Sequence, residues 1–200
     1  MIRVVIGLGN PGRRYHATRH NVGALVVEEL ARRRDATEAE EMAQCLVHRL
    51  PREGEPLVLA RPDAFMNVSG PAVRALLKRF DADPGEALVV TDDLHLEFGV
   101  LRLRREGSHG GHNGLRSLID ALGTTGFPRL RIGIGEAPEG IDQADYVLER
   151  FAPAERARLP EVIGAASDCV EMAIEAGLEC SMNHCNRKPD VASGPDAGTE

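Results

Sequence analysis

Imidazoles, amides and carboxylates recur in the turns of this chain. Asn10 lies in GLGNPG, His20 and Asn21 close TRHN, and Asn67 lies in RPDAFMNVSG. Asp92 and Asp93 follow in TDDLHLEFG, and His112 and Asn113 in GSHGGHNGL. A lone histidine or asparagine in a turn is usually a cap or a backbone partner. Five turns, each supplying such a group, point instead to a shared site. Together these groups can hydrolyse an acyl bond. A histidine takes a proton from water, a carboxylate fixes its tautomer, and an amide donor meets the oxyanion. A serine nucleophile does not fit, because the chain has no G-x-S-x-G elbow and Ser69 and Ser108 lie in other contexts. H-E-x-x-H and related spacings are missing, and Cys180, His184 and Cys185 match no zinc pattern. The expectation is therefore no metal and no cofactor.

GLGNPG (7–12) also fits the G-x-G-x-x-G pattern of a dinucleotide loop, which has to open a helix whose N–H groups face a pyrophosphate. Pro11 removes one of those donors, and an apolar helical stripe begins only at Val22. The acidic residue expected about twenty positions further on is absent. The motif is better read as a tight turn that exposes Asn10 at the carboxyl end of a first strand, where open α/β sheets place their sites.

The elements that must carry these turns follow from hydrophobic spacing. Apolar, β-branched runs at 2–7, 44–50, 56–61, 87–92, 100–105 and 130–135 predict strands. Helical stripes run over 21–34, 71–80 and 113–122, and from Leu159 to Ile174 with Pro153 or Pro160 opening the last helix. Alternation of the two predicts an α/β fold: a single three-layer domain with a mixed, largely parallel central sheet flanked by helices. The domain is expected over 1–186, followed by a polar, disordered tail over 187–200.

No apolar run is long enough to span a membrane, and the N-terminus lacks the cleavage site of a signal peptide. Four cysteines without paired spacing (Cys45, Cys169, Cys180 and Cys185) fit a reducing, cytoplasmic compartment. The net charge of −7 is unevenly spread: residues 1–34 carry seven arginines against two glutamates, and residues 99–131 carry six arginines against Glu106 and Asp120. Such a chain can present a basic face while staying acidic overall.

The blocks GLGNPGRRYHATRHNVG, FMNVSG, DDLHLEFG, GSHGGHNGLRSL, RLRIGIG and YVLERF, in this order, resemble the bacterial peptidyl-tRNA hydrolase family over residues 2–186. The resemblance implies a monomeric enzyme with a twisted mixed sheet. Its substrate would be the ester joining a peptide, or another N-blocked aminoacyl group, to the 3′-terminal ribose of tRNA, and its work the recycling of tRNA from peptides dropped by stalled ribosomes. His20 would be the base and Asp92 its partner. Asn10, Asn67 and Asn113 would orient the peptidyl-adenosine end, with His112 beside Asn113 among the binding residues. Tyr15 would lie on the tRNA-facing side and Met66 in the peptide groove. Arg104 and Arg131 would clamp the terminal phosphate. Arg61, Ala64 and His109 depart from the family pattern outside this set. Plastid relatives that bind RNA in intron splicing suggest a non-catalytic alternative, against which the intact His20, Asp92 and three asparagines speak.

Overall fold

The apolar runs assemble into one seven-stranded sheet of order β2-β3-β4-β1-β5-β7-β6. The computed structural model describes residues 1–36 and 38–186, so the tail expected from 187 lies outside the described residues. In chain order the elements are β1 (Val4–Gly7), α1 (Val22–Arg33), β2 (Glu40–Met42), β3 (Cys45–Leu50), β4 (Leu57–Pro62), α2 (Ser69–Arg79), β5 (Ala87–Asp93), β6 (Leu101–Arg104), α3 (Asn113–Leu122), β7 (Arg129–Gly133), α4 (Gln143–Leu148), α5 (Pro153–Glu175) and α6 (Leu178–Cys185). Short 3-10 turns occur at Arg19–Asn21, Met66–Val68 and Pro84–Glu86. The central strands β4, β1, β5 and β7 are parallel, and β2, β3 and β6 join antiparallel at the edges.

Strand alternation divides the core in two. Val5, Leu59, Leu88, Val90, Leu130 and Ile132 pack with Val26 and Leu30 of α1 and with Ala166 and Val170 of α5. Their neighbours Val4, Ile6, Val58, Ala60 and Val89 pack with Val73 and Leu76 of α2 and Leu115 and Leu118 of α3. Both faces of the central strands are therefore covered, as a parallel sheet requires. Each fully buried Leu or Val contributes roughly 1.5–3 kcal/mol.

Several elements differ from the sequence expectation. β2, reading EEM, is short, polar and at the sheet edge, so it has no apolar period to detect. α4 and α6, of six and eight residues, are too short for a clear stripe. α2 begins at Ser69, two residues before Pro71. Pro153 opens α5 at its first turn, where the missing N–H costs nothing, and Pro160 lies inside the helix. The cysteines, which lack paired spacing in sequence, include one pair in space: Cys169 of α5 and Cys185 of α6 are joined by a disulfide, which weakens the inference of a reducing compartment from their spacing. Sixteen residues separate them in sequence, a spacing that matches no local pattern.

The glycines of the first turn serve packing. A Cβ on Gly7 would lie 2.3 Å from the Gly23 carbonyl oxygen, and one on Gly23 would lie 2.2 Å from that of Val90. Two bare backbones thus let the start of α1 rest against β1 and β5. The Ala24 N–H then donates to the Leu8 carbonyl (3.1 Å) and the Leu8 N–H to that of Val90 (3.0 Å). This contact fixes the turn just ahead of α1, which carries His20, beside the end of β5, which carries Asp92.

Candidate active site

The parallel strands end on one edge of the sheet, and the turns after β1, β4 and β5 gather there. The GSHGGH segment arrives differently from the expectation. Strand β6 runs antiparallel to β7, with Arg104 opposite Arg129, so it ends at the opposite edge. The glycine-rich segment must run back along the sheet before His112 reaches Asp92. Positive φ angles at Gly110 (53°) and Gly111 (86°) allow that path, since side chains disfavour them.

Arg129 anchors this segment. Its Nη1 donates to the carbonyls of Gly107 and Ser108, its Nη2 to that of Thr125 (2.8 Å), and its Nε to that of Phe127 (3.2 Å). The guanidinium also lies 4.2 Å from the centre of the Phe127 ring. Burial pushes its pKa down to about 10, which leaves it cationic at neutral pH. Strand alternation was the available signal: Leu130 and Ile132 face the α1–α5 core, so Arg129 and Arg131 must share the other face.

Two histidines meet at Asp92. The His20 Nδ1 lies 2.9 and 3.0 Å from the two carboxylate oxygens, and the His112 Nε2 lies 3.0 Å from Oδ1. An ionised carboxylate only accepts, so each of these nitrogens carries the proton. For His112 a second observation agrees. Its Nδ1 accepts the N–H groups of Gly114 (3.1 Å) and Leu115 (3.2 Å), making the ring the N-cap of α3. His112 thus turns its Nε2–H to Asp92 and its Nδ1 to the helix start, with the Thr91 hydroxyl also 2.6 Å from Nε2. His20 is free of such a constraint. Its Nε2 has no hydrogen-bond partner among the described residues, and His20 lines the cleft.

Burial alone would raise the Asp92 pKa, but the two histidines hold its carboxyl well below the usual range. Burial alone would lower the His20 pKa, but the Asp92 charge and hydrogen bond more than offset it and raise it. The result is a permanently ionised carboxylate orienting a basic imidazole.

His20, Asp92 and His112 bring three potential metal-ligating atoms within 4.8 Å of one another. The donor chemistry does not fit a divalent ion. A ligating His112 Nε2 would have to release its proton to Nδ1, which is committed to accepting two backbone N–H groups.

A cleft of about 520 Å³ opens beside the pair, lined by His20, Asp92, His112, Asn113, Arg104 and Arg131, with Gln143, Ala144 and Val147 of α4 on its other wall. Arg104 is exposed and makes no ion pair among the described residues. Arg131 is half-buried and its Nε binds the Asp93 carboxylate, whose Oδ1 accepts the His95 N–H (2.9 Å).

The remaining expected residues sit on the turns after β1 and β4. Asn10 is buried, at 7% exposure, which corrects the expectation that its turn exposes it. Its Oδ1 accepts the Met66 N–H (2.8 Å), while its backbone N–H and carbonyl pair with the Asn21 side chain at 2.9 Å each. Among the described residues only its Nδ2 stays unengaged, so the group it can offer is a donor. Met66 is buried against Gly114, and Asn67 is exposed. Tyr15 is half-buried, stacks edge-on against the exposed Phe65 at 6.3 Å and lies under the Arg14 guanidinium at 4.4 Å. Neither Asn10, Tyr15, Met66 nor Asn67 lines the arginine cleft. Sequence reasoning missed Arg19, Thr91 and Arg129 as parts of this architecture, and singled out Asn21 and Asp93 without the partners they hold.

A carboxylate-oriented histidine with its second nitrogen free, beside unengaged amide and guanidinium donors, is the arrangement of a hydrolase that activates water by general base catalysis. The comparisons with known proteins specify which. The family model described as peptidyl-tRNA hydrolase matches residues 4–193. The chain is 49% identical over 184 residues to a peptidyl-tRNA hydrolase of Chloroflexus aggregans, covering 92% of this chain and 98% of that one. It is 44% identical over 187 residues to that of Aquifex aeolicus, covering 94% and 97%. The crystal structure of peptidyl-tRNA hydrolase from Acinetobacter baumannii superimposes with a TM-score of 0.85 at 34% identity, covering 92% of this chain and 94% of that one. The chain belongs to the peptidyl-tRNA hydrolase family.

Proposed function

We propose that the protein hydrolyses the ester between a peptide, or another N-blocked aminoacyl group, and the 3′-terminal ribose of tRNA, acting as a cytoplasmic monomer. The observation that carries the mechanism is the bond of His20 Nδ1 to both oxygens of a buried Asp92, which leaves Nε2 free toward the cleft. Nε2 removes a proton from water as the water attacks the ester carbonyl, and Asp92 stabilises the imidazolium that forms. The same proton then goes to the departing ribose oxygen. Asn10 can offer only Nδ2, which suits it to a substrate carbonyl or the developing oxyanion. Asn113, exposed at the start of α3, and Asn67, exposed after β4, would orient the terminal adenosine and the peptide, alongside Tyr15 and Met66.

Arg104 and Arg131, both on the cleft wall, supply the charge for the tRNA's terminal phosphate. His112 is reassigned within this reading. Expected to bind substrate, it spends both nitrogens on Asp92, Thr91 and the start of α3, so it supports the carboxylate. The N-blocked preference follows from burial, since a free α-ammonium in a site built for a peptide N–H and carbonyl is an unpaired charge. The test is turnover of N-acetyl-aminoacyl-tRNA beside its unblocked counterpart. Hydrolysis of the first and not the second is expected, and equal hydrolysis of both would overturn the substrate assignment.

A further inference from the structure

Arg19 takes no part in the chemistry above, yet it is only 4% exposed and directly precedes His20. Its Nη1 donates to the Arg150 carbonyl (2.7 Å) and its Nη2 to Glu155 Oε2 (2.7 Å). The guanidinium lies 4.2 Å from the centre of the Tyr146 ring. The backbone adds two ties: Thr18 bridges to Arg150, and the Arg19 N–H donates to the Glu149 carbonyl (3.0 Å). Glu155 also accepts the Ala152 N–H (2.6 Å) at the start of α5, and the Tyr146 hydroxyl donates to the Ile134 carbonyl (3.0 Å) just after β7. The Arg19 and Thr18 contacts converge on the junction between α5 and α4, the helix whose Gln143, Ala144 and Val147 line the cleft.

We infer that Arg19 is a positioning residue of the hydrolytic site: its forked guanidinium locks the turn carrying His20 to the α4–α5 junction, setting the imidazole against Asp92. The inference rests on His20 being the base. Stability alone explains the residue poorly. A buried ion pair is often no more stabilising than apolar side chains of the same volume, and the Arg19 Nε is buried without a hydrogen-bond partner among the described residues. What arginine adds is direction, because a planar fork held by a carbonyl and a carboxylate fixes the rotation of the turn.

The test compares Arg19→Lys, Glu155→Gln and the charge-neutral double variant Arg19→Met/Glu155→Gln with the native protein. N-acetyl-aminoacyl-tRNA is the substrate, and kcat, KM and the pH profile of kcat are read well below each variant's melting temperature. Misplacing the base should lower kcat in Arg19→Lys on the order of tenfold with KM within about twofold. Among the described residues, the ionisable side chains in contact with His20 are Asp92 from β5 and His112 ahead of α3. Lysine keeps the charge, so a shift of the acidic limb to lower pH would report a loosened contact with Asp92. Glu155→Gln retains an acceptor and should show the same change in smaller degree, and the double variant should lose kcat at least as far as Arg19→Lys. Native kcat and an unmoved acidic limb, whatever the melting temperature does, would make Arg19 merely structural and overturn the inference. A rise in KM with kcat intact would overturn it too, by assigning the residue to binding. A His20→Ala control separates the underlying reading: if that variant turns over normally, the base assignment fails first.

Discussion

His20 meets Asp92 through both carboxylate oxygens, at 2.9 and 3.0 Å from Nδ1. Burial would lower the imidazole pKa, but the charge and hydrogen bond of Asp92 raise it above its ordinary 6.5. A general base works only when unprotonated, so the acidic limb of kcat/KM should fall above about pH 6.5. Activity should rise through that limb to a plateau. A limb clearly below that of free histidine would mean that Asp92 does not act on His20.

The same shifts bear on stability. A raised His20 pKa contributes stability that is fully present below the unfolded-state pKa and lost as pH rises through the folded one. The lowered Asp92 pKa contributes stability above the unfolded carboxylate range, lost as pH falls. The pair therefore stabilises most in mildly acidic solution, where the base is protonated and idle. Denaturation midpoints across pH 5 to 8 should show its contribution declining toward the alkaline end as turnover increases, with the sign set by the linkage relation.

Asp92→Asn should lower kcat by roughly ten- to a hundredfold, less than loss of the base itself. An amide oxygen at the Oδ1 place could still accept from both His20 Nδ1 and His112 Nε2, but it carries no full charge to stabilise the imidazolium, and the amide nitrogen at the Oδ2 place would oppose the His20 Nδ1 donor. Steady-state kinetics at the pH plateau test this, and an unchanged kcat would remove Asp92 from the mechanism.

Gly7→Ala should destabilise the fold by about 1–3 kcal/mol, because the added methyl would lie 2.3 Å from the Gly23 carbonyl oxygen. Chemical denaturation would register it as a lower midpoint with the slope unchanged. A native midpoint would show that α1 can back away from β1 without loss.

Parts of the site legible in the sequence were those whose signal is local. Asn10 is announced by a turn and His112 by a glycine-rich run. Their surroundings were not legible, because the partners are distant: Met66 is 56 residues from Asn10, and Asp92 is 72 from His20. The burial of Asn10 could not be foreseen for that reason. Nor could the engagement of Arg131 by Asp93, which depends on β5 pairing with β7. The central strands were readable because burial on both faces leaves an unbroken apolar run. β2 carries no such imprint, with two exposed glutamates in its three residues.

Arg104→Ala should raise KM for full-length substrate and reduce the salt dependence of binding by roughly one charge, with kcat nearly unchanged. A phosphate contact present in both ground and transition states alters binding and leaves the chemical step alone. A short substrate ending in adenosine, without the 5′ phosphate, should be cleaved equally by native and variant protein. Equal impairment of both substrates would place the defect in local folding of the glycine-rich segment, and impairment of neither would make Arg104 a solvated surface residue.

The most direct measurement is the rate at which native protein and His20→Ala release N-acetyl-amino acid from N-acetyl-aminoacyl-tRNA, with tRNA affinity measured beside it. Loss of the base should lower turnover by at least about two orders of magnitude while affinity is retained. Turnover by His20→Ala within a few-fold of native, with tRNA bound equally, would contradict hydrolysis by a histidine-activated water.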